Sequence, residues 1–201
     1  MKVLWDVDTQ VDFVCADGKL AVPDAEAARP AMARLVAAAR RAGLTHIASA
    51  DDHELTDPEI SAEPDFRTTY PPHCLRGTRG AERVPETQQF DPVPLGAEIV
   101  PARWLQGREF LLLKKHFDVF TNPNTEPLLA LLGVDEVILF GVATDVCDDA
   151  AIQGLTARGR RVTFVEEASR GLDAARTDDC LAAWRAAGVR FASVNEVIAG
   201  L

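Results

Sequence analysis

Four residues with reactive side chains stand at or shortly after the ends of apolar, strand-like runs of the sequence: Asp8, Asp51, Lys114 and Cys147. Parallel strands of one sheet end at the same edge, and open α/β sheets bind their ligands along that edge. A carboxylate, an ammonium group and a thiol that meet there can carry out nucleophilic catalysis, in which the carboxylate takes the proton of the thiol. These residues are therefore the first candidates for a functional site.

The thiol of Cys147 is the candidate nucleophile. Segment 141–147, Gly-Val-Ala-Thr-Asp-Val-Cys, lies between an apolar run at 136–140 and a helix-like run that begins near Asp145. The dipole of a helix and its free backbone N–H groups favour a thiolate over a thiol at such a position. A buried cysteine that only fills space is the alternative, and the position in the sequence leaves both interpretations open.

The elements that must position these residues alternate between strands and helices. This alternation implies right-handed crossovers and a mostly parallel sheet that helices cover on both faces. We therefore predict a three-layer α/β/α fold in a single domain, residues 1–201. Apolar runs predict strands at 2–7, 45–50, 110–114, 136–141, 161–165 and 189–192, and helical patterns predict helices at 24–42, 126–132, 145–157, 174–187 and 195–199.

The long connection 51–96 is rich in Pro, Gly, Asp, Glu and Thr, and connections of this length are usually functional. Asp51 and His53 can converge on one ion, whereas Asp52 would point away in an extended segment. His73 lies further along the same connection. Imidazole and carboxylate ligands suit Zn, Fe or Mn, but the spacing alone fits a solvated acidic turn as well.

Composition excludes several classes of partner. The net charge of −10 and the sequence pI of about 4.8 disfavour binding to nucleic acid or to an anionic membrane. No apolar run is long enough to span a membrane, and the first residues do not resemble a secretory signal. The 4 cysteines show no paired spacing, which predicts free thiols and a cytoplasmic protein.

Three segments carry a resemblance to a known family. Segment 8–13, Asp-Thr-Gln-Val-Asp-Phe, resembles the D-x-Q-x-D-F opening of the isochorismatase-like cysteine hydrolases. Segment 114–120 resembles their K-x-x-[YF]-x-x-[FY] motif, and segment 141–147 resembles their nucleophile motif G-[VI]-[AE]-T-[DN]-x-C. The resemblance implies a six-stranded parallel sheet flanked by helices, and it implies a catalytic triad of Asp8, Lys114 and Cys147.

The family resemblance also implies an oxyanion hole. A cis peptide bond between Val142 and Ala143 would turn the N–H of Ala143 toward the same point as the N–H of Cys147. Two convergent N–H donors can stabilise a tetrahedral oxyanion. Lys115 is the rival of Lys114 for the lysine role, but the three-residue step to an aromatic residue fits Lys114.

Segment 70–82 narrows the resemblance to the nicotinamidase subgroup, whose pattern is [WY]-P-x-H-C-x-x-G-[ST]-x-G-A-E. This subgroup binds a metal ion, so the resemblance implies Zn, Fe or Mn as a cofactor. Phe13 and Tyr70 would stack on a planar substrate ring. By position the metal ligands would be Asp51, His53, Glu59 and His73, with Glu54, Asp57 and Glu63 as alternatives to Glu59.

The resemblance implies a metal-dependent cysteine amidohydrolase that converts nicotinamide to nicotinate and ammonia through a thioester on Cys147. The alternatives are hydrolysis of another small carboxamide or ureido substrate, and a metal-holding binding protein with an inert Cys147. Dimers or tetramers are usual in the family. Two residues depart from its pattern: Tyr70 replaces the common Trp, and Asp148 replaces a small apolar residue. Asp148 and Asp149 are expected near the pocket mouth, as ordinary acids at a helix N-terminus.

Overall fold

The apolar runs of the sequence form one parallel sheet of seven strands, in the order β3-β4-β2-β1-β5-β6-β7. The structure is a computed structural model that describes all 201 residues. The strands are β1 (Lys2–Val7), β2 (Thr45–Asp51), β3 (Val93–Leu95), β4 (Glu109–Lys114), β5 (Glu136–Gly141), β6 (Arg161–Phe164) and β7 (Arg190–Phe191).

Helices cover both faces of this sheet, which confirms the predicted three-layer α/β/α architecture. One face packs against α2 and α6, and the other face packs against α3, α4 and α5. None of the helices combines the length and the apolar composition that crossing a bilayer requires. The helices are α1 (Val11–Val14), α2 (Ala25–Arg41), α3 (Thr125–Leu131), α4 (Asp149–Ala157), α5 (Ala174–Ala186) and α6 (Val194–Ala199).

The register of the central strands places the candidate residues next to one another. Strand β1 pairs with both β2 and β5, so Val7 lies beside Ser49 on one side and beside Gly141 on the other. Strand β4 pairs with β2 so that Lys114 lies opposite Asp51. Because all these pairings are parallel, the carboxyl ends of the four strands form one edge of the sheet.

The structure contains seven strands where the sequence predicts six. The additional strand, β3, lies inside the long connection 51–96 and pairs with β4 at the edge of the sheet. It has three residues, and its central Pro94 gives it no strand signal in the sequence. The assignment of residues 1–201 to one domain stays a prediction.

A network of buried hydrogen bonds attaches the long connection 51–96 to the sheet. The guanidinium of Arg83 donates to both carboxylate oxygens of Asp6, at 2.6 and 2.7 Å, and to the carbonyl of Thr87 at 2.7 Å. The imidazole of His46 in β2 also bonds to Asp6. Burial raises the pKa of the Asp6 carboxyl, but Arg83 and His46 outweigh this effect and lower it below its ordinary value.

We predict that Arg83→Met lowers the free energy of unfolding at pH 7 by about 3–5 kcal/mol, because it leaves a buried carboxylate without its main partner. The loss shrinks below about pH 4, since the depressed pKa of Asp6 stabilises the fold only while the carboxyl is ionised. Urea denaturation at several pH values measures both effects. The control is Arg185→Met, which removes an exposed pair with Glu166 and costs less than about 1 kcal/mol. Equal losses in the two variants would contradict the prediction.

Candidate active site and metal centre

The carboxyl ends of β1, β2, β4 and β5 border a cavity of about 310 Å³. Most of its wall is apolar, with aromatic side chains from three different segments of the chain: Phe13, Tyr70 and Phe117. Four residues with ionisable side chains also line it: Asp51, Glu59, His73 and Cys147. A pocket with an apolar wall and a few convergent polar groups is the usual form of a small-molecule site.

The structure brings Asp8, Lys114 and Cys147 together beside this cavity. The ammonium Nζ of Lys114 lies 2.8 Å from Oδ2 of Asp8 and 3.7 Å from Sγ of Cys147. Oδ1 of Asp8 accepts a hydrogen bond from the Ser49 hydroxyl at 2.8 Å. All three residues are buried. The arrangement places a base candidate and a fixed positive charge beside a thiol, as nucleophilic catalysis requires.

The backbone positions of these residues, at strand ends and in a helical turn, place their side chains beside the cavity. Lys114 is the last residue of β4, and Asp8 follows β1 with a φ of 51° in the left-handed region, which a short polar residue tolerates. Cys147 lies in a π-helical turn, Thr144–Asp148, that precedes α4. The peptide bond between Val142 and Ala143 is cis, and the N–H of Ala143 donates to no acceptor within the chain.

The electrostatic environment of Cys147 differs from the expectation of a helix-stabilised thiolate. Burial raises the pKa of the thiol, and the neighbouring carboxylates Asp8 and Asp51 raise it further. Lys114 lowers it, but one ammonium does not offset burial and two carboxylates, so the pKa lies well above its ordinary value. A raised pKa favours the thiol over the thiolate, so a nucleophilic role for Cys147 would need a base that removes its proton.

Asp8 has the properties of that base. Burial raises the pKa of its carboxyl, and this effect outweighs the opposing charge of Lys114. A carboxyl group with a raised pKa accepts a proton more readily than an ordinary carboxylate. Lys115, the rival lysine, points elsewhere: its Nζ lies 3.2 Å from Oδ2 of Asp57.

A second cluster, the metal quartet, consists of Asp51, His53, Glu59 and His73. All four are buried, and one potential ligand atom from each lies within 4.8 Å of the others. Oδ2 of Asp51 lies 3.3 Å from Nε2 of His73 and 3.6 Å from Nε2 of His53. Nε2 of His53 has no hydrogen-bond partner although it is buried. Two imidazoles and two carboxylates around one point suit Zn, Fe or Mn, and the unpartnered nitrogen would be satisfied by such an ion.

The outer contacts of the metal quartet also fit a cation site. Nδ1 of His73 lies 2.7 Å from the Pro71 carbonyl, and Nδ1 of His53 lies 3.4 Å from Oδ2 of Asp57. Contacts of this kind orient the opposite ring nitrogen toward a metal ion. Burial lowers the pKa of His53, but Asp51 and Glu59 outweigh this and raise it to about 9. The shift reflects the excess of negative charge that a divalent cation would neutralise.

The structure distinguishes Glu59 from the three other acids that the sequence offers as the third metal ligand. Oε2 of Glu59 accepts the backbone N–H of Phe117 at 2.7 Å, and Oε1 lies 3.7 Å from Nε2 of His53. Asp57 contacts the outer nitrogen of His53 instead, and Glu54 and Glu63 are exposed. Only Glu59 therefore reaches the centre of the metal quartet.

Phe13 and Tyr70 lie on the cavity wall beside His73, with ring centroids 5.2 and 6.2 Å from the imidazole. Both aromatic side chains are buried. They are thus available to contact a flat ring that enters the cavity next to the metal quartet.

Asp148 differs from the expected acid at the pocket mouth. Its side chain is fully buried, and neither carboxyl oxygen has a hydrogen-bond partner. Burial, together with the charges of Asp8, Asp145 and Asp149, raises its pKa well above the ordinary value. Asp149 is half-buried and accepts the indole N–H of Trp184 at 2.8 Å. Asp148 is therefore a buried carboxyl group with a raised pKa, directly after Cys147 in the chain.

Two residues of the site carry no functional signal in the sequence: Asp12, which lies within the opening motif, and Ser49. Asp12 accepts the backbone N–H of Cys74 at 2.7 Å and that of Lys19 at 3.0 Å, so it anchors the residue that follows His73. Cys74 lies 62 residues from Asp12 along the chain, so the sequence carries no spacing signal for this contact. The hydroxyl of Ser49 could have been inferred only from the strand register beside Asp8.

Residues 3–196 match the model of the Isochorismatase domain. The chain is 31% identical over 196 residues to the nicotinamidase/pyrazinamidase of Mycobacterium tuberculosis, covering 95% of this chain and 98% of the relative. It is 25% identical over 189 residues to the nicotinamidase of Escherichia coli, covering 86% and 84%. The crystal structure of the pyrazinamidase of Pyrococcus horikoshii in complex with zinc shares the fold, with a TM-score of 0.75 at 22% identity, covering 96% of this chain and 98% of that one.

We predict that Asp148→Asn is more stable than the wild type at pH 7 to 8 and equal to it near pH 4. A carboxyl whose pKa is raised by folding is fully compatible with the fold below its ordinary pKa, and the wild type then loses up to about 1.4 kcal/mol per pH unit as the pH rises. Urea denaturation of both proteins across this range measures the difference. Parallel stability profiles would show that Asp148 is not held neutral by the fold.

Proposed function

The chain belongs to the isochorismatase family, and from this premise we propose that it is a metal-dependent nicotinamidase. In coarser terms it is a hydrolase that acts on an amide, as its relatives' names indicate. The finer proposal rests on one observation: Cys147 and three members of the metal quartet, Asp51, Glu59 and His73, line the same aromatic-walled cavity. The apolar wall with its three aromatic side chains suits a substrate with a flat ring.

The reaction would begin with proton transfer from Cys147 to Asp8. The sulfur then attacks the carboxamide carbon, and the N–H groups of Ala143 and Cys147 donate to the oxyanion that forms. Asp8 returns its proton to the amide nitrogen as the C–N bond breaks, so ammonia leaves and a thioester stays on Cys147. Water, deprotonated by Asp8, attacks the thioester and releases the acid, and the thiol regains a proton.

Lys114 supports each of these charge changes without itself reacting. Burial lowers the pKa of its ammonium, but Asp51 and Asp8 outweigh this and raise it well above the ordinary value. The ammonium therefore stays charged while Asp8 is alternately protonated and ionised and while a thiolate forms 3.7 Å away. A fixed charge that needs no rearrangement during the reaction is an efficient electrostatic stabiliser.

The substrate ring would be held between two sets of groups. A divalent cation bound by the metal quartet would supply a Lewis-acid site that orients the ring nitrogen or a water beside it. Phe13 and Tyr70 would contact the faces of the ring and exclude water from the reacting carbon. Assembly into a dimer or tetramer stays a prediction from the family resemblance. A cytoplasmic location stays a prediction from the composition, the first residues and the cysteine spacing.

We predict that Cys147→Ala lowers ammonia release from nicotinamide by at least about 10³-fold, because no other side chain can form the thioester. Circular dichroism and thermal unfolding check that the variant keeps its fold. The matched control is Cys180→Ala, which removes a half-buried thiol outside the cavity and leaves the rate close to that of the wild type. Ammonia release by Cys147→Ala at the wild-type rate would contradict the assignment of Cys147 as the nucleophile.

We predict that the protein binds about one Zn, Fe or Mn ion per chain and loses nicotinamide hydrolysis when a chelator removes it. Adding back one of these ions restores the activity. His73→Ala lowers the metal content measured by elemental analysis, whereas His116→Ala leaves it unchanged, since His116 lies outside the metal quartet. If the metal-loaded wild type hydrolyses another carboxamide but not nicotinamide, the proposed substrate is wrong and the proposed mechanism stands.

A further inference from the structure

Gln10 is a fully buried glutamine that makes three hydrogen bonds, and no step of the proposed reaction uses it. Its Oε1 accepts the backbone N–H of Asp51 at 2.7 Å, and its Nε2 donates to the backbone carbonyl of Asp51 at 2.8 Å. Nε2 also donates to the carbonyl of Ala81 at 2.9 Å, in the long connection. One side-chain amide therefore pairs with both polar backbone groups of a metal-quartet residue.

The strand register explains why Asp51 needs such a partner. On one side of Asp51 lies β4, whose Lys114 is its register partner. On the other side β1 has already ended, because its last pairing joins Val7 to Ser49. The N–H and C=O of Asp51 that face β1 would lack partners in a buried position, which is costly. The amide of Gln10 takes the place of the missing strand residue.

The carboxylate of Asp51 needs this fixed backbone because its two oxygens have different partners. Oδ1 bonds to the ammonium of Lys114, and Oδ2 lies 3.3 Å from Nε2 of His73 and 3.6 Å from Nε2 of His53. A rotation of the Asp51 backbone would move one oxygen out of the metal quartet or the other away from Lys114. Groups that orient a metal ligand in this way are nearly as important for binding as the ligand itself.

We propose that Gln10 is a positioning residue that aligns Asp51 for the metal ion and for Lys114 at the same time. This inference rests on the proposed metal site and adds a residue that orients one of its ligands. It also accounts for the link to Ala81: the same amide joins the end of β2 to the connection that carries the other metal ligands.

Gln89 offers a matched control for the loss of a buried amide. It is buried like Gln10, its Nε2 donates to the carbonyls of His46 and Phe110 at 3.0 and 3.1 Å, and its Oε1 accepts from Arg83 at 3.2 Å. Gln10→Met and Gln89→Met each remove three hydrogen bonds and keep a side chain of similar volume. Only the first of these variants removes contacts to a metal ligand.

The experiment titrates metal-stripped wild type and both variants with Zn²⁺ against a chromogenic chelator, and it records the thermal unfolding of the same metal-free proteins. We expect both variants to unfold at lower temperature than the wild type. Gln10→Met should bind Zn²⁺ about 10- to 100-fold more weakly than the wild type, as is typical when an orienting contact is lost. Gln89→Met should bind Zn²⁺ as the wild type does.

Wild-type affinity for Zn²⁺ in Gln10→Met overturns the inference, and so does an equal loss of affinity in Gln89→Met. A wild type that binds no Zn²⁺ overturns the proposed metal site together with the inference, so the two failures are distinguishable. If Gln10→Met does not fold, Gln10→Asn and Gln89→Asn provide the same comparison. Asn keeps the amide group, but its shorter side chain does not reach both backbone groups of Asp51.

Discussion

The buried ammonium of Lys114 is the interaction on which the rest of the site depends. It lies between the carboxylates of Asp8 and Asp51, and it is within 3.7 Å of the thiol of Cys147. A buried charge is tolerated only with close partners, and removing one partner of such a group costs several kcal/mol. Because Asp51 also belongs to the metal quartet, the two halves of the proposed site share one carboxylate and are electrostatically coupled.

The long connection 51–96 covers this cluster, although most of the connection is irregular and β3 is its only new strand. Its backbone is anchored to the sheet by buried polar contacts: Asp12 holds the segment after His73, Arg83 is paired with Asp6, and the amide of Gln10 spans the end of β2. Each contact satisfies polar groups that burial would otherwise leave without partners. These contacts therefore hold the connection, and with it the residues of the metal quartet, against the sheet.

Much of the fold could be predicted because its signals are local. Apolar runs bounded by turn residues predicted six of the strands, and four of the five predicted helices begin and end within a residue of the expected positions. The helix predicted at 145–157 begins only at Asp149, and the short helix α1 was not predicted. The edge strand β3 was missed since three residues around Pro94 carry no period. The π-helical turn at Cys147 was missed as well, because the apolar period of the sequence does not distinguish it from the start of an α-helix.

The order of residue types along the chain already determined which reactive groups stand at the ends of strands, because a strand and its terminal residue are neighbours in sequence. The tertiary structure decided how those groups influence one another. It raises the pKa of the Cys147 thiol where a helix N-terminus predicts a lower one, buries Asp148 without partners and selects Glu59 over nearby acids. These properties depend on burial and on distances of a few ångströms between segments far apart in sequence, which only the folded chain establishes.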